Sequence, residues 1–273
     1  MSAPTAPQPS WSWEDASTAF AGAIRDWYGS QGHDPDAPAA QSTVLINTTR
    51  VPSRVTDLLA ALREGTGLDG VRDLDVLDVG CGYGAMTVFI RRELGARDVV
   101  GEDVREDYLD VARRALDRLA VPADGVAFRL GDMTSLRHPD RSRDVILVHN
   151  AFCYLTGTRR AREAMSEFHR VLRPGGVVLV YQPNRWHPFE AFTRLPLVHW
   201  LPRRLTERVI VASGRRSTYS DIRLWSPWEM RRLGRRAGLV RIRNSPLRRS
   251  RRWRGPLAAL APYYYTTAVR PPG

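Results

Sequence analysis

The chain has 273 residues, 43% of them hydrophobic, enough for one large domain with an elaboration and an ample core. Its formal charge is +12, and every one of the 41 basic residues is arginine, which excludes lysine-based chemistry, a P-loop included. Two cysteines, Cys81 and Cys153, cannot build a disulfide framework or a cysteine-rich metal site, and the absence of a membrane-length apolar run or a signal-peptide pattern predicts a cytosolic protein.

The first ten residues, rich in proline, alanine and serine, read as a disordered lead. Trp11 to Tyr28 carries aromatics at 11, 13, 20, 27 and 28 and reads as helical toward its end, and Gly29 to Ala40 as a loop. Residues 1–50 are thus expected to be a lead and cap helix before a domain over 51–273. A helix is expected from about Pro52 through Val55, Leu58, Leu59 and Leu62 to Gly65, because proline suits a first helical turn and the leucines recur at helical spacing.

From Leu74 short apolar runs alternate with amphipathic stretches, the pattern of βαβ units and a parallel sheet. Strands are expected near 74–79, 98–103, 125–130, 143–149 and 176–181, with helices near 84–94, 106–120 and 158–172. Arg173-Pro174-Gly175-Gly176 should end the last helix sharply. Residues 182–225 break the alternation with aromatics among prolines and arginines, too long a stretch for a simple connector. A helix near 227–237 follows, capped at Ser226 with Pro227 first and Gly238 at its end. Strands near 239–243 and 263–269 flank a basic loop.

The most informative stretch is Val76-Leu77-Asp78-Val79-Gly80-Cys81-Gly82-Tyr83-Gly84-Ala85, a strand running into a glycine turn and a helix. Glycines let the backbone approach a ligand closely, and Asp103 on the next strand can take both hydroxyls of a ribose. Taken literally, Gly80-x-Gly82-x-x-Ala85 also satisfies the dinucleotide fingerprint of a nicotinamide or flavin enzyme. Asp78 before the turn fits a pyrophosphate poorly and a cationic ligand well.

The stretch resembles the first motif of the class I S-adenosylmethionine-dependent methyltransferases, and the resemblance runs over roughly residues 50–245. Val100-Gly101-Glu102-Asp103-Val104 looks like the second-strand motif, Leu130-Gly131-Asp132-Met133 like the motif whose acid meets the adenine amino group, and Asp144 to Asn150 like the fourth strand. Leu172 to Gly176 resembles the turn before the fifth strand, and Ser226 to Met230 with Ala237-Gly238-Leu239 the late helix. The resemblance implies a Rossmann-like, doubly wound α/β sheet of seven strands, mostly parallel with the last antiparallel, and helices on both faces. It implies S-adenosylmethionine as cofactor, held by Asp78, Gly80, Cys81, Gly82, Tyr83, Gly84, Asp103, Val104, Asp132, Met133, His149 and Asn150. Arg50 would meet the cofactor's carboxylate.

A sulfonium cofactor brings an activated methyl, so positioning carries much of the catalysis. A hydroxyl acceptor also needs a proton acceptor, and His149 at the end of the fourth strand is the best placed, with His187 beyond the fifth strand as rival. No G-x-S-x-G elbow or metal-ligand spacing competes, and no metal is expected.

Residues 182–225 fall where a substrate lid is expected, and their aromatics suit a small organic acceptor, a hydroxyl of a secondary metabolite, quinone-like ring or lipid. Phe192 to Leu205 is read as a lid packed on its own domain, with peripheral contact at the inner membrane surface as the alternative. From Arg173 onward 21 arginines stand against four acids, whereas the first 172 residues hold 20 arginines and 25 acids. The basic third, with Arg248 to Arg254, keeps methylation of docked nucleic acid or protein open as a second reading, and a silent cofactor-binding regulatory protein is the third.

Overall fold

The structure is a computed structural model, and it describes residues 11–119, 125–246 and 255–273. Helix α1 (Trp13–Ser30) opens with a capping box in which Ser12 and Asp15 satisfy each other's backbone. Then come α2 (Pro38–Asn47) and α3 (Val51–Thr66). The stretch expected as a loop to Ala40 therefore yields to a helix from Pro38, whose ring occupies a position in the first turn.

The alternating region gives β1 (Asp75–Val79), α4 (Ala85–Leu94), β2 (Asp98–Asp103), α5 (Glu106–Arg118), β3 (Val126–Leu130), β4 (Arg143–His149) and α6 (Thr158–Val171). Strand β5 (Leu172–Pro183) starts earlier than expected because Leu172 already pairs with Arg143 across a register shift. Gly175 still makes the turn at φ +81°. Helices α7 (Arg203–Ala212) and α8 (Pro227–Arg236) and strands β6 (Val240–Pro246) and β7 (Tyr263–Val269) complete the chain.

The seven strands run in the order β3-β2-β1-β4-β5-β7-β6. The first five pair in parallel, and β7 is antiparallel to both its neighbours. The order reverses between β1 and β4, which opens a crevice at the carboxyl ends of those strands, where ligands bind in open α/β sheets. Alternation along the strands sends Val76, Val99, Val145 and Leu147 toward α3 and α4, and Leu77, Val100, Ile146 and Val148 toward α6 and α8.

Helix α1 packs into the same apolar cluster as α5, with Phe20 and Ile24 beside Leu109 and Ala112. Arg118 of α5 is ion-paired to Asp26 of α1. Residues 182–225 leave and rejoin the sheet through a parallel bridge between Asn184 and Trp225. Between these ends Val198, Ile210, Tyr219, Ile222 and Leu224 form a separate small core, and α7 lies in what was expected to be irregular lid. Buried Glu190 ties this unit together by accepting from the Phe192 and Thr193 amides at 2.9 and 2.5 Å and from the Tyr219 hydroxyl at 2.9 Å. No helix among the described residues is long and apolar enough to cross a membrane.

Candidate functional site

Beyond β1 the chain turns with Gly80, Gly82 and Gly84 at φ +73°, +57° and +77°, conformations that side chains with a Cβ resist. Close approach adds a second constraint: a Cβ on Gly80 would lie 2.2 Å from the Ala151 Cβ, and one on Gly84 2.5 Å from the Phe128 ring. The Gly80 and Cys81 amides both donate to the Glu102 carbonyl, at 2.7 and 3.0 Å. The Gly82 amide donates to Asp103 Oδ2 at 2.9 Å and the Arg105 amide to Asp103 Oδ1 at 3.0 Å. Burial lifts the Asp103 carboxyl above its ordinary range, opposed by those amides.

Asp78 lies beneath the turn, fully buried. Thr87 donates its hydroxyl hydrogen to Oδ2, and Oδ1 has no partner. Burial pushes this carboxyl up to about 6, with Asp103 contributing in the same direction and the Thr87 bond opposing it. An under-solvated acid under a glycine turn makes the region favourable to a cation.

Across the crevice, β4 and β5 pair with His149 opposite Tyr181, and β5 and β7 pair with Tyr181 opposite Tyr265. Residues in register share a face of a sheet, so their rings meet. His149 stacks on Tyr181 at 4.5 Å, and Tyr181 stacks on Tyr263 at 5.4 Å and tilts against Tyr265 at 4.8 Å. The edge of the His149 ring reaches the cavity, but its Nε2 is sealed from solvent without a partner. Burial holds its pKa down to about 3, and the nearby Arg54 charge adds to the effect. The imidazole is therefore neutral and hard to protonate at ordinary pH. Asn150 follows at φ +59° and leaves its buried Oδ1 unpartnered.

Helix α3 supplies the third wall. Arg54 donates to the Ile46 carbonyl at 3.2 Å. Burial lowers its pKa, opposed by Tyr181, Tyr265 and Tyr263 and joined by Arg50. The three walls enclose a cavity of about 700 Å³.

The crevice brings together Arg50, Gly80, Cys81, Gly82, His149 and Asn150 of the residues singled out from sequence. Its lining does not include Asp78, Tyr83, Gly84, Asp103, Val104, Asp132, Met133 or His187. Tyr83 is buried between Trp27 of α1 and Tyr108 of α5, 5.7 and 4.4 Å between ring centroids. The ring of His187 bonds through Nδ1 to the Leu260 carbonyl at 2.9 Å. Val104, next to Asp103 in the chain, is exposed, and Met133 packs partly buried against the core. Asp132 is already engaged, with Oδ1 accepting from Thr134 and Oδ2 paired to Arg160 at 2.7 Å. The basic stretch Arg248 to Arg254 lies outside the described residues.

Sequence reasoning missed Arg54, Tyr181, Tyr263 and Tyr265. A signal existed in the Tyr263-Tyr264-Tyr265 run, whose alternate members must face the same side of a strand.

The residues present fit S-adenosylmethionine. The glycine cradle admits a ligand against the backbone, His149 and Asn150 line the crevice beside it, and the Asp103 carboxylate at the end of β2 meets the Gly82 amide of the turn. Among the described residues no group of histidine, cysteine and carboxylate side chains is arranged to hold a metal ion.

Comparison with known proteins agrees. Residues 76–176 match the methyltransferase domain family. A probable methyltransferase, ltbC of Aspergillus luteorubrus, is 30% identical over 107 residues, 38% of this chain and 38% of that protein. A demethylmenaquinone methyltransferase of Deinococcus radiodurans is 31% identical over 130 residues, 47% of this chain and 52% of that protein. The chain thus spans only about two-fifths to half the length of these curated relatives. Among solved structures, geranyl diphosphate C-methyltransferase of Streptomyces coelicolor, in complex with geranyl diphosphate, Mg²⁺ and S-adenosylhomocysteine, shares the fold. Its TM-score is 0.56 at 19% identity, over 87% of this chain and 86% of that one. With the glycine turn, the acid on β2 and the seven-stranded order all in place, residues 76–176 match a methyltransferase domain and the chain is similar to S-adenosylmethionine-dependent methyltransferases in sequence and fold.

Proposed function

We propose that the chain transfers a methyl group from S-adenosylmethionine to a small organic acceptor seated against the tyrosine wall. The observation that carries this reading is the single crevice of about 700 Å³ with the glycine turn on one side and His149, Tyr181, Tyr263, Tyr265 and Arg54 on the other. When bound, the cofactor supplies a methyl already activated by its sulfonium. Gly80, Cys81 and Gly82 receive it along the backbone, with Gly84 starting α4 beneath. Asp103 takes the ribose hydroxyls, Val104 and Met133 flank the adenine, and Asp78 favours the cationic end from below. Arg50 meets the carboxylate. Asp132, held by Thr134 and Arg160, orders the loop around the adenine.

The aromatic row then grips a planar or apolar acceptor by stacking, and Arg54 holds its polar end. His149, neutral and disfavoured as a proton acceptor, stacks on Tyr181 and holds the wall that the acceptor meets. Such a site suits an acceptor whose hydroxyl is itself acidic, a phenol or quinone-like ring, because no strong base is then required.

The test is transfer of labelled methyl from S-adenosylmethionine to matched phenolic and aliphatic hydroxyl acceptors, alongside calorimetry of cofactor binding. Transfer to phenols is expected. Absence of cofactor binding would overturn the reading outright, and transfer confined to tRNA or protein would replace its acceptor.

A further inference from the structure

Within the 182–225 unit lies a second cavity of about 240 Å³ that shares no lining residue with the crevice. Arg185, Arg203 and Arg223 line it, with His199, Thr206 and Tyr219. One carboxylate, Glu229, is paired to these guanidiniums among the described residues, 3.0 Å from Arg223 and 3.8 Å from Arg185. Arg203 instead donates to the Ser220 carbonyl at 2.6 Å. The cavity therefore keeps an excess of positive charge.

Helix α7, ten residues long, begins at this cavity with Arg203 first. It has no acid in its first turn and no side-chain cap, so its leading amides and dipole favour an anion. His199 lines the cavity with its ring nitrogens turned into the protein beside the Arg185 and His187 backbone, so the guanidiniums are left to meet an anion.

We propose that this cavity binds a phosphate group, with Arg185, Arg203, Arg223 and the first turn of α7 as its cradle. Guanidiniums match phosphate geometry with paired donors, and the apolar floor of Leu201, Ile222 and Leu224 accommodates the carbon side of a phosphate ester. Two sources share this chemistry, a soluble phosphate ester and a phospholipid headgroup. The exposed side chains of Leu197, Trp200 and Leu205 in the same unit suit the second.

The experiment titrates inorganic phosphate into the full chain at low salt by calorimetry, with the cofactor present to fill the crevice, for wild type, Arg203→Gln, Arg185→Gln and Arg54→Gln. One phosphate site is expected in the wild type. The first two variants should weaken it tenfold or more while cofactor affinity is unchanged, and Arg54→Gln should leave it intact. Co-sedimentation with phosphatidate vesicles against phosphatidylcholine vesicles names the source. Binding to the former that Arg203→Gln removes indicates a headgroup, and phosphate binding without vesicle binding indicates a soluble ester. No phosphate binding in the wild type, or phosphate binding lost only in Arg54→Gln, would overturn the proposal.

Discussion

The Thr87 hydroxyl donates to Asp78 Oδ2 at 2.7 Å and is the sole hydrogen bond to that carboxylate among the described residues. One bond is too little to ionise a buried acid cheaply, which is why its pKa rises to about 6. The native state then binds more protons than the unfolded chain between the unperturbed value of 3.8 and about 6. Stability supplied by this group is therefore present below the lower value and lost as pH rises through the upper one. Asp78→Asn abolishes that loss and should raise stability at pH 8 by up to about 3 kcal/mol, with little change at pH 4. The same variant should bind S-adenosylmethionine at least tenfold more weakly. Melting curves at the two pH values and calorimetry check both halves.

Asp103 orders the turn, since the Gly82 and Arg105 amides both donate to it. Asp103→Ala should cost about 1–3 kcal/mol of cofactor affinity through lost charged hydrogen bonds. Asp103→Asn, which keeps one acceptor oxygen, should lie between. Unchanged affinity in Asp103→Ala by calorimetry would remove this residue from the site.

His149 has a native pKa near 3 against an ordinary 6.5, so the unfolded chain takes up a proton in that window before the native state does. Stability from this group is full above the upper value and is lost as pH falls toward the lower one. His149→Phe should move acid unfolding to lower pH, as followed by circular dichroism. The wild-type rate profile should show no titration of His149 between pH 5 and 8. A limb near pH 6.5 that disappears in His149→Gln would mean that the histidine works as a base.

Arg54 is a cation held among tyrosines with a carbonyl as its hydrogen-bond partner. Removing its charge relieves a desolvation cost, so Arg54→Met should melt no lower than wild type. Its kcat/KM should nonetheless fall tenfold or more, about 1.4 kcal/mol per tenfold, while cofactor affinity holds. Steady-state kinetics with a phenolic acceptor separates these effects.

The cofactor half was legible in the sequence because close backbone approach leaves a local trace. The left-handed backbone at Gly80 and Gly84 with no room for a Cβ demands glycine, and the interval to Asp103 is one helix and one strand long. The acceptor half was not legible because it is assembled by register. Tyr181 and Tyr265 are neighbours only once β7 pairs antiparallel with β5, and Arg54 joins them only when α3 packs over that face. The low-pKa environment of His149 has the same origin: the sequence shows a histidine at a strand end, and burial decides what it can do. Tyr83 illustrates the converse, since its place in the glycine motif suggested a ligand contact and the packing of α1 gave it other neighbours.

Those neighbours have an effect at a distance. With Tyr83 packed between Trp27 and Tyr108, the turn is braced by α1 and α5 before a ligand arrives, which reduces the conformational entropy left to surrender on binding. Helix α1 touches no part of the crevice, yet it sets how ordered the turn is beforehand. Substitutions along its buried face will therefore alter cofactor affinity through the free protein, with the bound contacts left as they were.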